Sequence, residues 1–316
     1  SIDSHPHVNQ WIELTSDERI LIHTGKVDIG QRISTALALI AADELDVDYQ
    51  RIDVKRTETD IDPNEGFTSG SMSMQHSGAA IRLASATARE FMMKSAGEKL
   101  GVGVNTLEVN DGLIQSRETN ETVTYWELMS NKEFNLPVNQ SITVKSPDKH
   151  NFVGTRVVSK DMANIIKGDM SYIHDMEFID MLHARLVRPP HYFAKLKSLD
   201  KDLIEHFGEN NISVICDGSF VAVAASDEYE AIKAAKRLAN EIKWDLQGGL
   251  PSKELFDAIT SNMRVSLPIA PGGAPVDQPV APLGNLSDEA HITLSARFEK
   301  PYHMHGSIGP SAGCAL

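Results

Sequence analysis

The chain has 316 residues, 41% of them hydrophobic, and a formal charge of -14 from 44 acidic against 30 basic side chains. That length leaves room for two or three domains. The composition argues against a disordered or membrane-embedded chain, and no apolar run approaches the ~20 residues needed to cross a bilayer. An acidic surface repels phosphate backbones, and no basic stripe offsets it, so nucleic acid is not an expected partner.

Arg19 to Thr24 (RILIHT) reads as a strand running into the Gly-bounded turn GKVDIG. A helix is predicted over Ile33 to Leu45, with Ile33, Ala36, Leu37, Ile40 and Ala41 on one face. Arg51 to Thr57 reads as the next strand. After the polar loop DPNEGFTSGSMS a long helix is predicted over Ser77 to Leu100. Its inner face of Ala80, Leu83, Ala84, Ala88, Phe91 and Met92 is small enough to lie close to a sheet.

Residues 141–152 (SITVKSPDKHNF) read as a polar connection and a domain boundary, beyond which a second α/β unit begins. Tyr172 to Asp175 and Leu182 to Val187 read as strands. Asn211 to Asp217 and Phe220 to Ala225 read as a hairpin around Asp217-Gly218-Ser219. Glu228 to Trp244 is predicted helical, with Ile232, Ala235, Leu238, Ala239 and Ile242 inward. From Pro268 to Gly284 eight of 17 residues are Pro or Gly, an extended linker. Ala290 to Phe298 reads as one more strand, followed by EKPYHMHGSIGPSAGCAL. A unit of about 30 residues cannot bury its own core, so a partner chain is expected to complete it, unless the polypeptide has been cut.

Two loops precede helices and carry groups suited to an anion. Gly30 permits close backbone approach, the helix start after it offers unpaired N–H groups, and Gln31 adds a carboxamide. The loop Thr68-Ser69-Gly70-Ser71-Met72-Ser73 combines four hydroxyls with one glycine, as an anion cradle or as a plain helix cap. Both follow strands, where open α/β layers bind ligands. His303 and His305, two residues apart, share a strand face but have no evident third metal ligand. His174 and His183 read as strand or turn histidines, and the sequence around Ser307 misses a hydrolase elbow by one glycine. Cys216 and Cys314 form neither a disulfide framework nor a cluster motif, and no basic, apolar leader opens the chain; the expected home is cytoplasmic, with the periplasm open through a partner or a removed leader.

Three blocks resemble the molybdenum hydroxylase family, which includes xanthine dehydrogenase and aldehyde oxidase, most of all its bacterial large subunits of the isoquinoline 1-oxidoreductase and nicotinate dehydrogenase type. GKVDIGQRISTALALIAADELDVDYQRIDV with EGFTSGSMSMQHSGAAIRLA is similar to a molybdopterin-binding module of that family. FVGTRVVSKDMANIIKGDMSYIHDMEFIDMLHARLVRPP is similar to its α/β hammerhead domain, with Phe178-Ile179-Asp180 where Pro-Gly is usual. ARFEKPYHMHGSIGPSAGCAL is similar to the opening of its main molybdopterin domain.

The resemblance implies a mixed α+β and α/β fold. A molybdopterin-binding module would span residues 1–140, a hammerhead domain 141–250, a linker 251–289, and the first strand of a further molybdopterin domain 290–316. It assigns Gly30 and Gln31 to the phosphate and pterin side of the cofactor, Gly70, Ser71, Met72 and Ser73 to its tail, and His305 and Ser307 to the metal and substrate side. The family turn reads Gly-Gln-Gly, and Arg32 stands here for the second glycine, either to meet a phosphate or to crowd the turn. The implied cofactor is the molybdenum-pterin group in its cytosine dinucleotide form. The implied partners are a small-molecule substrate, a second large-subunit chain with the catalytic glutamate, and a small subunit with 2Fe–2S clusters. The implied activity is hydroxylation of an N-heteroaromatic or aldehyde carbon with water-derived oxygen. A non-catalytic assembly protein of the same ancestry and a nucleotide-phosphate-binding α/β protein remain as alternatives.

Overall fold

A computed structural model describes residues 2–130, 134–169, 172–248, 255–261, 276, 278, 284, 291–301, 303, 306, 309 and 311–316. The chain divides into two compact units, Ser1–Ser171 and Tyr172–Leu316.

The first unit opens with β1 (Ile12–Leu14), antiparallel to β2 (Ile20–Ile22). Helix α1 (Ile33–Leu45) then crosses to β3 (Ile52–Val54), which pairs parallel with β2 in the register Ile20↔Ile52. A π-helical turn, Met74–Gly78, leads into α2 (Ala79–Leu100). Next comes the meander β4 (Leu107–Asn110), β5 (Leu113–Ser116) and β6 (Thr122–Thr124), then the short α3 (Tyr125–Met129) and α4 (Met162–Lys167). The two long helices pack on each other, and both bury small side chains, Ala38, Ala41 and Ala42 on α1 and Ala80, Ala84 and Ala88 on α2. Larger side chains (Trp11, Ile20, Ile22, Leu37, Leu45, Ile52, Ile81, Met92, Ile114 and Tyr125) fill the remaining core without solvent exposure. At roughly 25 cal/mol per Å² of apolar surface, each of these stabilises the fold by about 1.5–3 kcal/mol.

Segment 141–161, expected as the boundary and opening of a second domain, runs over α1 as a strap of the first unit. Asp43, although only 2% exposed, accepts the backbone N–H groups of Asn151 (2.7 Å), Phe152 (3.0 Å) and Val153 (2.8 Å). Glu44 accepts the Lys145 N–H at 3.1 Å and Arg82 Nε at 2.9 Å. Further along, Thr35 Oγ1 lies 3.0 Å from Ser159 Oγ, and the Lys160 ammonium donates to the Ile52 carbonyl on the edge of β3. Buried carboxylates are tolerated here because each faces donors.

The second unit is built on the sheet β7 (His183–Leu186), β10 (Phe220–Ala225) and β9 (Ser213–Asp217), with β10 central and antiparallel to both neighbours. β8 (Lys195–Ser198) pairs with β11 (Lys243–Asp245), α5 (Lys201–Glu209) packs on β9, and α6 (Glu228–Glu241) covers β10 and β7. Its own core joins Val187, Leu203, Phe207, Val221, Val223, Leu238 and Ile242. Asp200 caps α5 and Asp227 caps α6 by accepting helix-start amides.

Several expectations are corrected. Tyr172 to Asp175 is not a strand: residues Ile173–Asp175 form a 3-10 turn, closed by Asp175 accepting the Tyr172 N–H at 2.8 Å. The last helix of the sheet unit stops at Glu241, and its buried stripe is Ala231, Ala234, Leu238 and Ile242, with Ala239 outside. A short helix, α7 (Leu255–Ser261), lies in the segment read as linker. Of Ala290 to Phe298, read as a strand, the described residues 291–298 have no regular structure and are exposed. No helix among the described residues is long and apolar enough to cross a membrane.

Candidate functional site

The turn after β2 and the loop before α2 are stitched together side by side. Lys26 is buried, and its ammonium donates to the carbonyls of Glu65 (2.7 Å) and Phe67 (3.0 Å). The Val27 N–H donates to Thr68 Oγ1 at 2.8 Å. The Glu65 carboxylate accepts from Thr24 Oγ1 at 2.8 Å, the Gly25 N–H at 2.9 Å and Ser77 Oγ at 2.7 Å. The approach is close enough to require Gly25: a Cβ there would meet the Pro63 carbonyl oxygen at 2.0 Å. Sequence reasoning misses both Lys26 and Glu65, since each reads as an ordinary surface charge until the partner loop is known.

Gly30 adopts φ +99°, a left-handed conformation that favours glycine, and the space beside it is open. Gln31 folds back over the same turn: its Oε1 accepts the Ile29 N–H at 2.6 Å and its Nε2 donates to the Val27 carbonyl at 3.1 Å. One N–H and one lone pair of the carboxamide therefore remain for a ligand.

The row of unpaired amides expected at the helix start is partly occupied by Asp28. Its Oδ1 accepts the N–H of Gly30 in the turn at 2.9 Å and of Arg32 at the N-cap at 3.3 Å, and Oδ2 accepts Ser34 Oγ at 2.7 Å and its N–H at 3.4 Å, while the first-turn amides of Ile33 and Thr35 are not among those it takes. Burial pushes the Asp28 carboxyl up, but the Ser34 hydroxyl and these three amides together hold it below its ordinary value of 3.8. The signal is present in the sequence, since an acid just ahead of a helix is the preferred occupant of that end. Arg32 sits at the N-cap with φ +64°, the conformation a glycine would adopt freely, and its guanidinium pairs with Asp161 of the strap. The pairing commits Arg32 within the chain.

The second loop differs. Gly70 and Ser71 have φ +65° and +58°, and Ser69, Gly70, Ser71 and Met72 are exposed. Among the described residues, the backbone N–H groups of Gly70, Ser71 and Ser73 find no acceptor, and the hydroxyls of Ser69, Ser71 and Ser73 no partner. Ser73 precedes the π-helical turn, a distortion that recurs at functional sites. Exposed apolar side chains rim both loops: Ile29 at 71%, Phe67 at 92%, and Val27, Met72 and Met74 about half as much. From Met74 a groove of about 340 Å³ extends along Ile40, Arg82, His150 and Val153.

His305 and Ser307 lie outside the described residues. Among those described, no three His, Cys, Asp or Glu side chains are arranged to hold a metal ion.

The sequence profile of the molybdopterin cofactor-binding domain family matches residues 2–159, strap included. Among curated proteins, a component of the nicotinate dehydrogenase of Pseudomonas putida is 31% identical over 316 residues, covering 97% of this chain and 25% of its own length. The beta component of isoquinoline 1-oxidoreductase from Brevundimonas diminuta is 22% identical over 290 residues, covering 79% of this chain and 36% of its own length. Among solved structures, a reconstituted CO dehydrogenase from Oligotropha carboxidovorans aligns at 23% identity and TM-score 0.35 over 42% of this chain and 18% of that one. This chain thus spans between a quarter and about a third of the lengths of these two curated relatives.

Proposed function

This chain belongs to the molybdenum hydroxylase family through its molybdopterin cofactor-binding domain, and from that premise we propose that its first unit holds the molybdenum-pterin cofactor between the Gly30–Gln31 turn and the Gly70–Ser73 loop. The observation that carries the reading is the joining of the two loops, one of which presents unpaired donors to solvent. The donor set fits the group. Three free amides and three free hydroxyls on Ser69 to Ser73 suit an anionic dinucleotide tail. At the first turn Asp28 already occupies the Arg32 and Ser34 amides, and Gln31 meets a neutral edge, such as the pterin, through its remaining N–H and lone pair. Met72 and the apolar rim exclude water along the cofactor's side.

The finer assignments complete the proposal. The dinucleotide is the cytosine form, and His305 and Ser307 approach the metal and substrate side. The sheet unit around β7, β10 and β9 belongs to the α/β hammerhead domain. The whole assembly is a cytoplasmic oxidoreductase acting on an N-heteroaromatic or aldehyde carbon, with the catalytic glutamate outside residues 1–316 and the 2Fe–2S clusters on a small subunit. When bound, molybdenum supplies the oxidation of that carbon with oxygen drawn from water. This chain's own share is to bind and orient.

Asp28 and Arg32 favour a second reading, a non-catalytic assembly protein of the same ancestry, because both are engaged within the chain where a cofactor phosphate would otherwise be met. The two part on one experiment. The complex is isolated from its native source, its masses and molybdenum content are measured, and the nucleotide released by acid is identified. About one molybdenum and one CMP per chain are expected; an intact complex free of both would favour the assembly reading.

A further inference from the structure

One carboxylate joins three pieces of the first unit that are far apart in sequence. Glu65 Oε2 accepts from Thr24 Oγ1 at the end of β2, from the N–H of Gly25 at the start of the turn, and from Ser77 Oγ in the π-helical turn, while Oε1 accepts the same serine at 2.7 Å. Thr24 and Ser77 are 1% and 0% exposed, so without Glu65 their hydroxyls would keep only each other at 3.3 Å and, for Thr24, the Lys26 N–H at 3.1 Å. On either side, Lys26 binds the Glu65 and Phe67 carbonyls and Val27 binds Thr68. The described hydrogen bonds between turn 24–31 and loop 63–77 run almost wholly through residues 65–68, with the Glu65 side chain at their centre.

We infer that Glu65 is a positioning residue that makes the two loops a single body, so that the cofactor is held by both or by neither. Glu65 points into Thr24, Gly25 and Ser77 and does not belong to the ligand-facing surface of either loop. The inference rests on the reading of the loops as the cofactor site, but the coupling itself is a property of the chain and is measurable without cofactor.

The test is hydrogen exchange on the full chain, comparing wild type with Glu65→Ala and Glu65→Gln. Glu65→Ala should speed exchange at the hydrogen-bonded amides of both loops, Gly25, Val27 and Ile29 in the first and Met72 and His76 in the second, by about tenfold or more, the scale of one lost buried hydrogen bond. Glu65→Gln keeps an acceptor oxygen and should recover most of that protection. Amides of β4, β5 and β10 should not change, which separates loop release from unfolding. In the native complex the same variants should lower molybdenum content in the same order, Ala below Gln below wild type. Faster exchange in only one loop, equal loss in the Gln and Ala variants, or wild-type molybdenum content in Glu65→Ala would overturn the inference. If wild-type complex itself holds no molybdenum, the cofactor reading fails, and the exchange result still decides whether Glu65 couples the loops.

Discussion

Removing the Asp28 side chain is the sharpest probe of how the first turn is built. Asp28→Ala deletes the acceptor of the Gly30 amide in the turn, of the Arg32 and Ser34 amides at the helix start, and of the Ser34 hydroxyl. Loss of such a cap costs about 1 kcal/mol, and loss of a negative charge at the positive end of α1 adds roughly 0.3–1 kcal/mol, so about 1.5 kcal/mol is expected at pH 7. The cost should depend on pH in a definite direction. The folded-state pKa lies below its ordinary value of 3.8, so Asp28 contributes stability that is complete above the unfolded value and is lost as pH falls through the lower folded one. The gap between wild type and variant should therefore be full from neutral pH down to about pH 5 and shrink below about pH 4. Urea unfolding followed by tryptophan fluorescence reads it: Trp11 is fully buried in the first unit, and Trp244 on β11 belongs to the second. A gap under about 0.3 kcal/mol at pH 7, or one unchanged at pH 3, would refute the capping argument, because a cap of ordinary strength could then not be acting there.

Two further perturbations test the same unit. Asp43→Ala strips three successive amides of the strap of their buried acceptor and should cost about 3 kcal/mol by urea unfolding, with exchange at 151–153 rising to match; a loss below about 1 kcal/mol would mean that the strap is not anchored at Asp43. Arg32→Gly relieves a φ of +64°, worth about 1 kcal/mol, and gives up a partly exposed ion pair with Asp161 worth about 0–1 kcal/mol; the melting temperature should stay within about 3 °C of wild type, and a fall of 8 °C or more would show that the pair anchors the strap.

The elements legible in the sequence are those whose own residues decide them. Helix α1 starts and stops where its apolar period does, Ile33–Leu45, and the β9–β10 hairpin turns on Gly218 and Ser219 with Phe220 facing Asp217. The meander β4 to β6 escapes a reading by periodicity although its turn is in plain view: Asp111-Gly112 joins Asn110 to Leu113, with φ +50° and +73°. Its strands are only 4, 4 and 3 residues long, at or below the shortest run over which alternation can be read. The strap misleads for a different reason. SITVKSPDKHNF has the composition of a linker, and what fixes it is a pair of acids, Asp43 and Glu44, on a helix about a hundred residues earlier. Non-local hydrogen bonding of that kind leaves no periodic trace in either segment.

The site shows the same division. The two candidate loops stand out in the sequence by their glycines, Gly30 and Gly70, both at positive φ, and by the polar side chains beside them. Asp28, Lys26 and Glu65 do not, because a charge that serves inside a fold looks the same in sequence as one on the surface. This bears on the overall charge of -14, which argues against polyanionic partners and, taken alone, would argue against an anionic cofactor as well. Locally it does not. The loop from Phe67 to Ser73 contains no charged side chain, and the Asp28 charge is met by amide dipoles and the Ser34 hydroxyl. In the proposed site a phosphate at this loop would meet the unpaired amides of Gly70, Ser71 and Ser73 first, while charges beyond ~8–10 Å are screened by salt.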